Sequence, residues 1–387
     1  MVGFWIAGCL AVTILYWIYD GYGRFLQLLA MIFRPRQSAT DADSQSATWP
    51  EITVLLTVHN EEKVIRQKLE NLLACQYPEG RCQIVVASDG STDRTNAIVQ
   101  EFASRGVRLF PSPGLGKTAT QNAAMETIQT ELVAFTDADI QFCREWLYLV
   151  VAHFRDSAIG AVDGRYLFGN EEAQDLHACQ GYYWRYELKL RTLESGLGLL
   201  AVVAGACFAM RRSLFVPMDP SIGEDCIVPL DVVSQGFRVV HEPRAIGIVD
   251  LEDDTGVSLR RRIRMTLRNW QGTWTRSHLL NPFRHPGYSF ALWSHKLLRW
   301  LSPVFLLLAT FSFGMLLALQ PSYLTAAAFC PFAGLYVLAL YHMTMNGRGL
   351  RLPGTAFAYS FMLANLAFII GVWRAMTGHQ VRQYRNT

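Results

Sequence analysis

Apolar residues dominate both ends of the chain and thin out in its middle. From Gly3 to Tyr19 the apolar and aromatic run is unbroken, and Gly21–Phe33 continues it with Arg24 the only further charge after Asp20. About 20 apolar residues cross a bilayer, so residues 1–33 predict one long, tilted membrane helix. A cleavable signal peptide would need a basic start and a small-residue cleavage site, and the run has neither. Arg34 and Arg36 follow it, which places that end in the cytoplasm. Near the other terminus, Leu301–Leu319, Leu324–Met345 and Thr355–Trp373 predict three more spans over 301–373, followed by a basic tail, 374–387. Between these regions, Leu259–Thr275 sets Ile263, Leu267, Trp270 and Trp274 at helical spacing against arginines 260, 261, 262, 264 and 268. Such a helix suits the membrane interface. Ser294–Trp300, with Lys296, Arg299 and Trp300, predicts a second interfacial anchor, so 258–300 forms an interfacial region. A conflict follows. If the first helix exits inside, three later spans leave the C-terminus outside, yet Arg374, Arg382 and Arg385 favour inside. Either one candidate is re-entrant or interfacial, or the rule fails at this tail.

The middle has another rhythm. Ser38–Thr48 is polar without an apolar period, so 34–49 is a linker. From Glu51, short β-rich runs alternate with helical spacing. Strands are predicted at Ile52–Val58, Gln83–Ser88, Val107–Phe110 and Leu132–Thr136; helices at Glu61–Ala74, Thr92–Ala103 and Thr118–Thr127. This alternation predicts an α/β domain over 50–257 with a mostly parallel sheet. Ligands of such sheets sit at the carboxyl ends of the strands, and Thr57, Asp89 and Asp137 each follow an apolar strand run.

Composition narrows the classes. The 387 residues are 51% hydrophobic and 17% charged, apolar for a cytosolic enzyme. A net charge of +3 gives no footing for nucleic acid. The eight cysteines form no C-x-x-C pair, which argues against a zinc site, and so long a chain with its middle on a reducing face argues against a disulfide framework.

Four polar clusters carry candidate chemistry. Asp137–Ala138–Asp139 places two carboxylates around one small residue just past a strand; hard oxygen ligands at this spacing suit Mg²⁺ or Mn²⁺ bridging to a diphosphate. An isolated D-x-D is more often a solvated loop tip, and the strand context and the other clusters raise this one above that. Glu224–Asp225 opens an apolar segment. An Asp there serves equally as a helix N-cap or as a general base for an acceptor hydroxyl, its pKa lifted by Glu224. Asp89–Gly90–Ser91–Thr92–Asp93 follows a strand; Ser91 or Asp93 suits a cap, and Asp89 suits a bond to a base or ribose. Lys117, after Gly114–Leu115–Gly116, suits a phosphate at a helix start, although a solvated lysine is the commoner outcome for a lone copy.

Taken in order, these pieces resemble the family 2 inverting glycosyltransferases of GT-A fold. The resemblance runs from about Pro50 to Trp274. Val54–Glu62 is similar to that family's first strand and nucleotide loop, Asp89–Asp93 to its uracil-contacting turn, and Gly116–Lys117 with Asn122 to its G-K-x-x-x-x-N segment. Asp137–Ala138–Asp139 is similar to its metal-binding motif, Gly205–Arg212 to its acceptor-side strand and Glu224–Asp225 to its base motif. The resemblance implies a Rossmann-like GT-A domain with transmembrane helices. It implies Asp225 and Glu224 as catalytic residues, and Asp139 with Asp137 as ligands of Mg²⁺ or Mn²⁺. It places Thr57, His59, Glu61, Asp89, Lys117, Asp137, Arg268 and Trp270 at the donor, and Gly205, Ala206, Tyr183 and Trp184 at the acceptor. The expected partners are a nucleotide-sugar donor, UDP foremost, a lipid-linked or glycan acceptor, the bilayer and subunits of a polysaccharide assembly. The expected location is the bacterial inner membrane with the domain cytoplasmic. Membrane members that polymerise sugars carry Q-x-x-R-W on an interfacial helix. Here the segment reads Arg264–Met265–Thr266–Leu267–Arg268–Asn269–Trp270–Gln271, which departs from that pattern and speaks against processive polymerisation. A catalytically silent glycan- or nucleotide-binding subunit and a transporter-like protein are the alternatives; the intact acidic residues oppose the first and the large polar middle the second.

Overall fold

The computed structural model describes residues 1–33, 49–168, 176–249, 255–345 and 352–379. Nearly all of the predicted linker (34–48), including Arg34 and Arg36, and the tail from 380, including Arg382 and Arg385, lie outside the described residues.

Eight strands form one mixed sheet: β1 (Ile52–Val58), β2 (Cys82–Asp89), β3 (Val107–Ser112), β4 (Leu132–Thr136), β5 (Ile140–Phe142), β6 (Ile159–Phe168), β7 (Cys207–Arg211) and β8 (Arg238–Val249). Their order is β3-β2-β1-β4-β7-β6-β8-β5. β3, β2, β1 and β4 run parallel. β7 then lies antiparallel to β4, and β6 antiparallel to β7. All seven residues of β1 and all five of β4 are buried, as a strand covered on both faces must be. The core splits accordingly. Val54, Leu56 and Val86 face one side with Leu69 and Trp146, while Leu55, Val85 and Phe135 face the other with Met125, Ile227 and Trp300.

Helices α1 (Val2–Tyr16) and α2 (Tyr22–Phe33) form the N-terminal rod, joined by a π-turn over Trp17–Gly21. The sheet domain adds α3 (Ile65–Ala74), α4 (Thr95–Glu101), α5 (Lys117–Thr127), α6 (Trp146–Ala152), α7 (Leu176–Leu197) and α8 (Glu224–Ser234). After these come α9 (Thr255–Thr275), α10 (Pro286–Leu292), α11 (Leu298–Trp300), α12 (Ser302–Leu319), α13 (Tyr323–Met345) and α14 (Thr355–Met376). Four helical stretches, Val2–Phe33, α12, α13 and α14, are long and apolar enough to cross a membrane.

The segment expected as a second interfacial anchor does other work. Ser294, His295, Leu297, Arg299 and Trp300 are buried, and the His295 and Arg299 side chains tolerate this because carboxylates meet them inside the protein. His295 bonds Glu194 through Nδ1 (2.9 Å) and Glu187 through Nε2 (2.9 Å), while Arg299 and Lys296 reach Glu187 at 2.7 and 3.1 Å. Tyr22 of α2 donates to Glu194 at 2.8 Å. This cluster fastens α7 of the sheet domain to the membrane helices.

α14 has a particular path. Thr355 at its start meets His342 near the end of α13, Asn365 at its middle accepts a bond from Ser302 at the start of α12, and past its end the His379 carbonyl accepts from Gln271 of α9 at 2.7 Å. A Cβ on Gly371 would lie 2.7 Å from Thr266, so α14 and α9 approach closely.

Candidate active site

The carboxyl ends of β1, β2 and β4 deliver the polar residues to one edge of the sheet, as this architecture requires. β4 ends at Thr136 and the chain turns at once through Asp137–Ala138–Asp139 into β5. Ala138 is buried and Asp139 exposed, so the small residue seats the turn while the carboxylates stay clear of the core.

Lys117 is the hub. It is the first residue of α5, after Gly116 with φ +95°, and its ammonium lies 2.7 Å from Asp137 Oδ1 and 2.7 Å from Glu224 Oε1. Two motifs far apart in sequence therefore meet on one cation. Asp89 holds the loop in front of it. Its Oδ1 accepts from the Gly116 amide (3.0 Å) and the Thr120 hydroxyl (2.9 Å). The expected base or ribose contact of Asp89 thus competes with this pinning role. A Cβ on Gly90 (φ +66°) would stand 2.9 Å from Gly114 Cα, so this loop passes where only glycine fits. His59 Nδ1 donates to the Asp89 carbonyl at 2.6 Å, which leaves Nε2 as the unprotonated nitrogen of the neutral ring. The Thr57 hydroxyl at the end of β1 is buried without a hydrogen-bond partner, a feature that calls for a ligand or water.

Asp225 sits in a slot between two glycines. A Cβ on Gly205 would lie 3.3 Å from Asp225 Cβ, and one on Gly223 would lie 2.6 Å from Asp225 Oδ1 and 3.3 Å from Arg268 Cζ. Gly205, expected on the acceptor side, thus faces the expected base directly. Arg268 is held by the Ser221 carbonyl (3.2 Å) and the Thr118 hydroxyl (3.2 Å). Ala206 donates its amide to the Tyr166 hydroxyl at 2.6 Å, and Trp184 stacks on Tyr166 at 6.1 Å with its indole N–H on the Tyr166 carbonyl. Trp270 packs with Trp274 and Trp300 at 5.8 and 6.0 Å. The Tyr183 side chain lies outside the described residues. Tyr166 was not singled out in the sequence, since nothing in its own strand marks it.

Electrostatics separate the acids. Burial raises the Asp225 pKa and neighbouring Glu224 adds to it, against Arg268. Burial acts on Glu224 too, but the Lys117 charge and hydrogen bond outweigh it and hold Glu224 below its ordinary value. Asp137 is pushed up to about 6 by burial, with Glu224 and Asp139 adding and Lys117 opposing. Glu61 rises to about 7 through burial and then through Asp139 and Asp137. Glu61, Asp137 and Asp139 therefore crowd negative charge that the protein leaves partly unbalanced, a setting that fits a divalent cation. Among the described residues no group of three or more His, Cys, Asp or Glu side chains is placed to hold a metal ion.

Comparison with known proteins gives the class. Residues 53–216 match the model of glycosyl transferase family 2. The fold is similar to that of a mannosyltransferase from Pyrobaculum calidifontis solved with GDP-Man and Mn²⁺, with TM-score 0.70, 19% identity and coverage of 96% of this chain and 99% of that one. The chain is 28% identical to a probable glycosyltransferase of Bacillus subtilis, YdaM, over 51% of its length and 50% of the relative's. It is 28% identical to an N-acetylglucosaminyltransferase of Neorhizobium galegae over 66% and 62%. A beta-monoglucosyldiacylglycerol synthase of Nostoc is 30% identical over 38% and 32%. The matches with these curated relatives span less than two thirds of the relatives' own length.

Proposed function

We propose that the protein is a membrane-bound glycosyltransferase that moves a sugar from a nucleotide diphosphate donor, UDP foremost, to a lipid-linked or glycan acceptor with inversion. The observation that carries this reading is the Lys117 ammonium lying between Asp137 and Glu224, beside Asp225 in its glycine slot. One cation among carboxylates at the strand ends is where a sugar diphosphate would be received. Asp225, made more basic than an ordinary aspartate by burial and Glu224, takes the proton of the acceptor hydroxyl as that oxygen attacks the anomeric carbon. The bond from that carbon to the diphosphate breaks, and the electron pair leaves with the nucleotide. Lys117 and Arg268 supply positive charge on the leaving side. Asp137 and Asp139, with Glu61 nearby, would hold a divalent ion whose chemistry is to neutralise the departing diphosphate. The Tyr166–Trp184 stack offers an acceptor-side wall, because aromatic faces pack well on sugar rings.

Relatives named for N-acetylglucosamine and for a glucosyl diacylglycerol support an amino sugar or glucose as cargo and a lipid acceptor at the bilayer. For orientation we take the sheet domain as cytoplasmic. The N-terminal rod, α12 and α13 cross the membrane, and α14 lies along the cytoplasmic face, since its start, middle and end meet α13, α12 and α9 on that side.

The test is nucleotide release by the purified full-length protein, given a panel of UDP- and GDP-sugars with lipid acceptors. Release with one donor is expected, abolished by Asp225→Asn while donor binding persists. Unchanged turnover in that variant removes Asp225 from its place, and no release with any donor removes the reading.

A further inference from the structure

Lys68 lies on the inner side of α3 with no exposed surface. A buried ammonium is unfavourable unless its N–H groups are satisfied, and here each partner lies beside the acidic turn. Nζ donates to Thr136 Oγ1 at 2.9 Å and to the Ile140 carbonyl. Thr136 is the last residue of β4 and Ile140 the first of β5, so the two bonds bracket Asp137–Ala138–Asp139. The ammonium also lies 4.2 Å from the centre of the Phe142 ring, which stacks on Trp146 at 4.0 Å. Docking of α3 does not depend on the amine. Asn71, one turn on, bonds both the amide and the carbonyl of Phe142 at 2.9 and 2.8 Å, and Ile65, Leu69 and Leu72 fill the core.

We propose that Lys68 is a positioning residue for the acidic turn: one buried amine ties both feet of the turn and thereby fixes the spacing and aim of the Asp137 and Asp139 carboxylates. It touches neither donor nor acceptor. A methionine would fill the same volume and keep the apolar packing, yet the chain places a charge there whose bonds go to the two ends of this turn. The inference rests on the reading of Asp137–Ala138–Asp139 as the face that meets a divalent ion and a diphosphate.

The experiment compares wild type, Lys68→Met, Thr136→Val and the double variant as full-length protein in detergent. Amide hydrogen exchange of peptides over 132–142, without metal or nucleotide, reads the order of the turn. Mn²⁺ titration followed by electron paramagnetic resonance reads the carboxylates, and thermal melting reads the fold. Lys68→Met is expected to speed exchange of the turn amides about tenfold and to weaken Mn²⁺ about tenfold or more, the size usual for groups that hold metal ligands in place. Its melting temperature is expected to stay close to wild type. Thr136→Val moves the same readouts less, and the double variant is no worse than Lys68→Met, since both changes remove one shared bond. Wild-type exchange in Lys68→Met overturns the proposal, as does faster exchange spread evenly over α3 and β1. If the wild type binds neither Mn²⁺ nor UDP, the reading of the turn fails, while the exchange data still decide the place of Lys68.

Discussion

At the scale of single residues, the site depends on one lysine serving two acids. Removing Lys117 leaves Asp137 and Glu224 without the ammonium between them and only Arg268 acting on Glu224, a change that costs ~3–5 kcal/mol for well-buried partners and less here, since Asp137 is a third exposed. In the wild type, Glu224 has a depressed pKa, so it adds stability above the ordinary glutamate range and loses it as pH falls. In Lys117→Met the Glu224 pKa rises above its unfolded value, which reverses the sign: its contribution holds at low pH and is lost as pH rises. Asp137, already about 6, moves the same way. The melting temperature of Lys117→Met should therefore fall further below wild type as pH rises through about 6, and UDP affinity should drop about tenfold or more, one lost charge-assisted contact being worth that much. Calorimetric melting and UDP titration check both. The pH–rate profile makes a related prediction. If Asp225 is the base proposed above it acts when ionised, and because its pKa is raised the acid limb of turnover should lie above the usual aspartate range and shift when Glu224→Gln removes the neighbouring charge.

How far the sequence reaches is plain at this scale. Asp137, Asp139, Glu224 and Asp225 stand out in the sequence because each closes or opens an apolar run, and Lys117 because it follows a glycine loop at a helix start. The structure brings Lys117, Asp137 and Glu224 onto one cation with Asp225 beside them. Lys68 and Tyr166 were not legible. Their partners Ile140 and Ala206 lie 72 and 40 residues away, and a buried lysine inside a helical pattern looks like any solvated one.

At the scale of elements, β1 and β4 have the bounds that their apolar runs predict, and β2 and β3 extend one or two residues further. α3 starts late, at Ile65, because Glu61–Val64 forms a turn whose Glu61 amide donates to Thr95. β6 and β8 escaped the strand reading, since each changes its exposure along its length and the pair carries two register irregularities. The loop before α8 yields a separate prediction. Gly223 has φ −82°, so alanine is permitted by the backbone, yet its Cβ would displace the Asp225 carboxylate. Gly223→Ala should lower kcat ~10²-fold, the usual consequence of a misplaced reacting group, with donor KM and melting temperature little changed. Steady-state kinetics beside a thermal melt decides it; an equal loss in KM would point to a damaged donor site instead.

At the scale of the whole molecule, the count of spans and the basic tail disagree in the sequence, and a path of α14 along the cytoplasmic face would reconcile them. If α14 lies along the cytoplasmic face, three segments cross and Arg374 stays inside. An epitope added after Thr387 should then be cleaved by protease only in vesicles whose sheet domain faces outward. Cleavage from the opposite side only would make α14 a fourth crossing helix.

The charge cluster at the junction also bears on biosynthesis. Tyr22 leaves the ribosome 172 residues before Glu194, and His295 follows Glu194 by 101 more. During translation the sheet domain must therefore wait with Glu187 and Glu194 unneutralised by His295, Lys296 and Arg299 until the chain resumes its return toward the lipid. A nascent protein halted after α9 would have Tyr22 on Glu194 and Arg191 on Glu187, without the three cations of the returning chain. The last third of the chain thus supplies the cations that join α7 to the segment leading into the apolar helices, once synthesis is nearly complete.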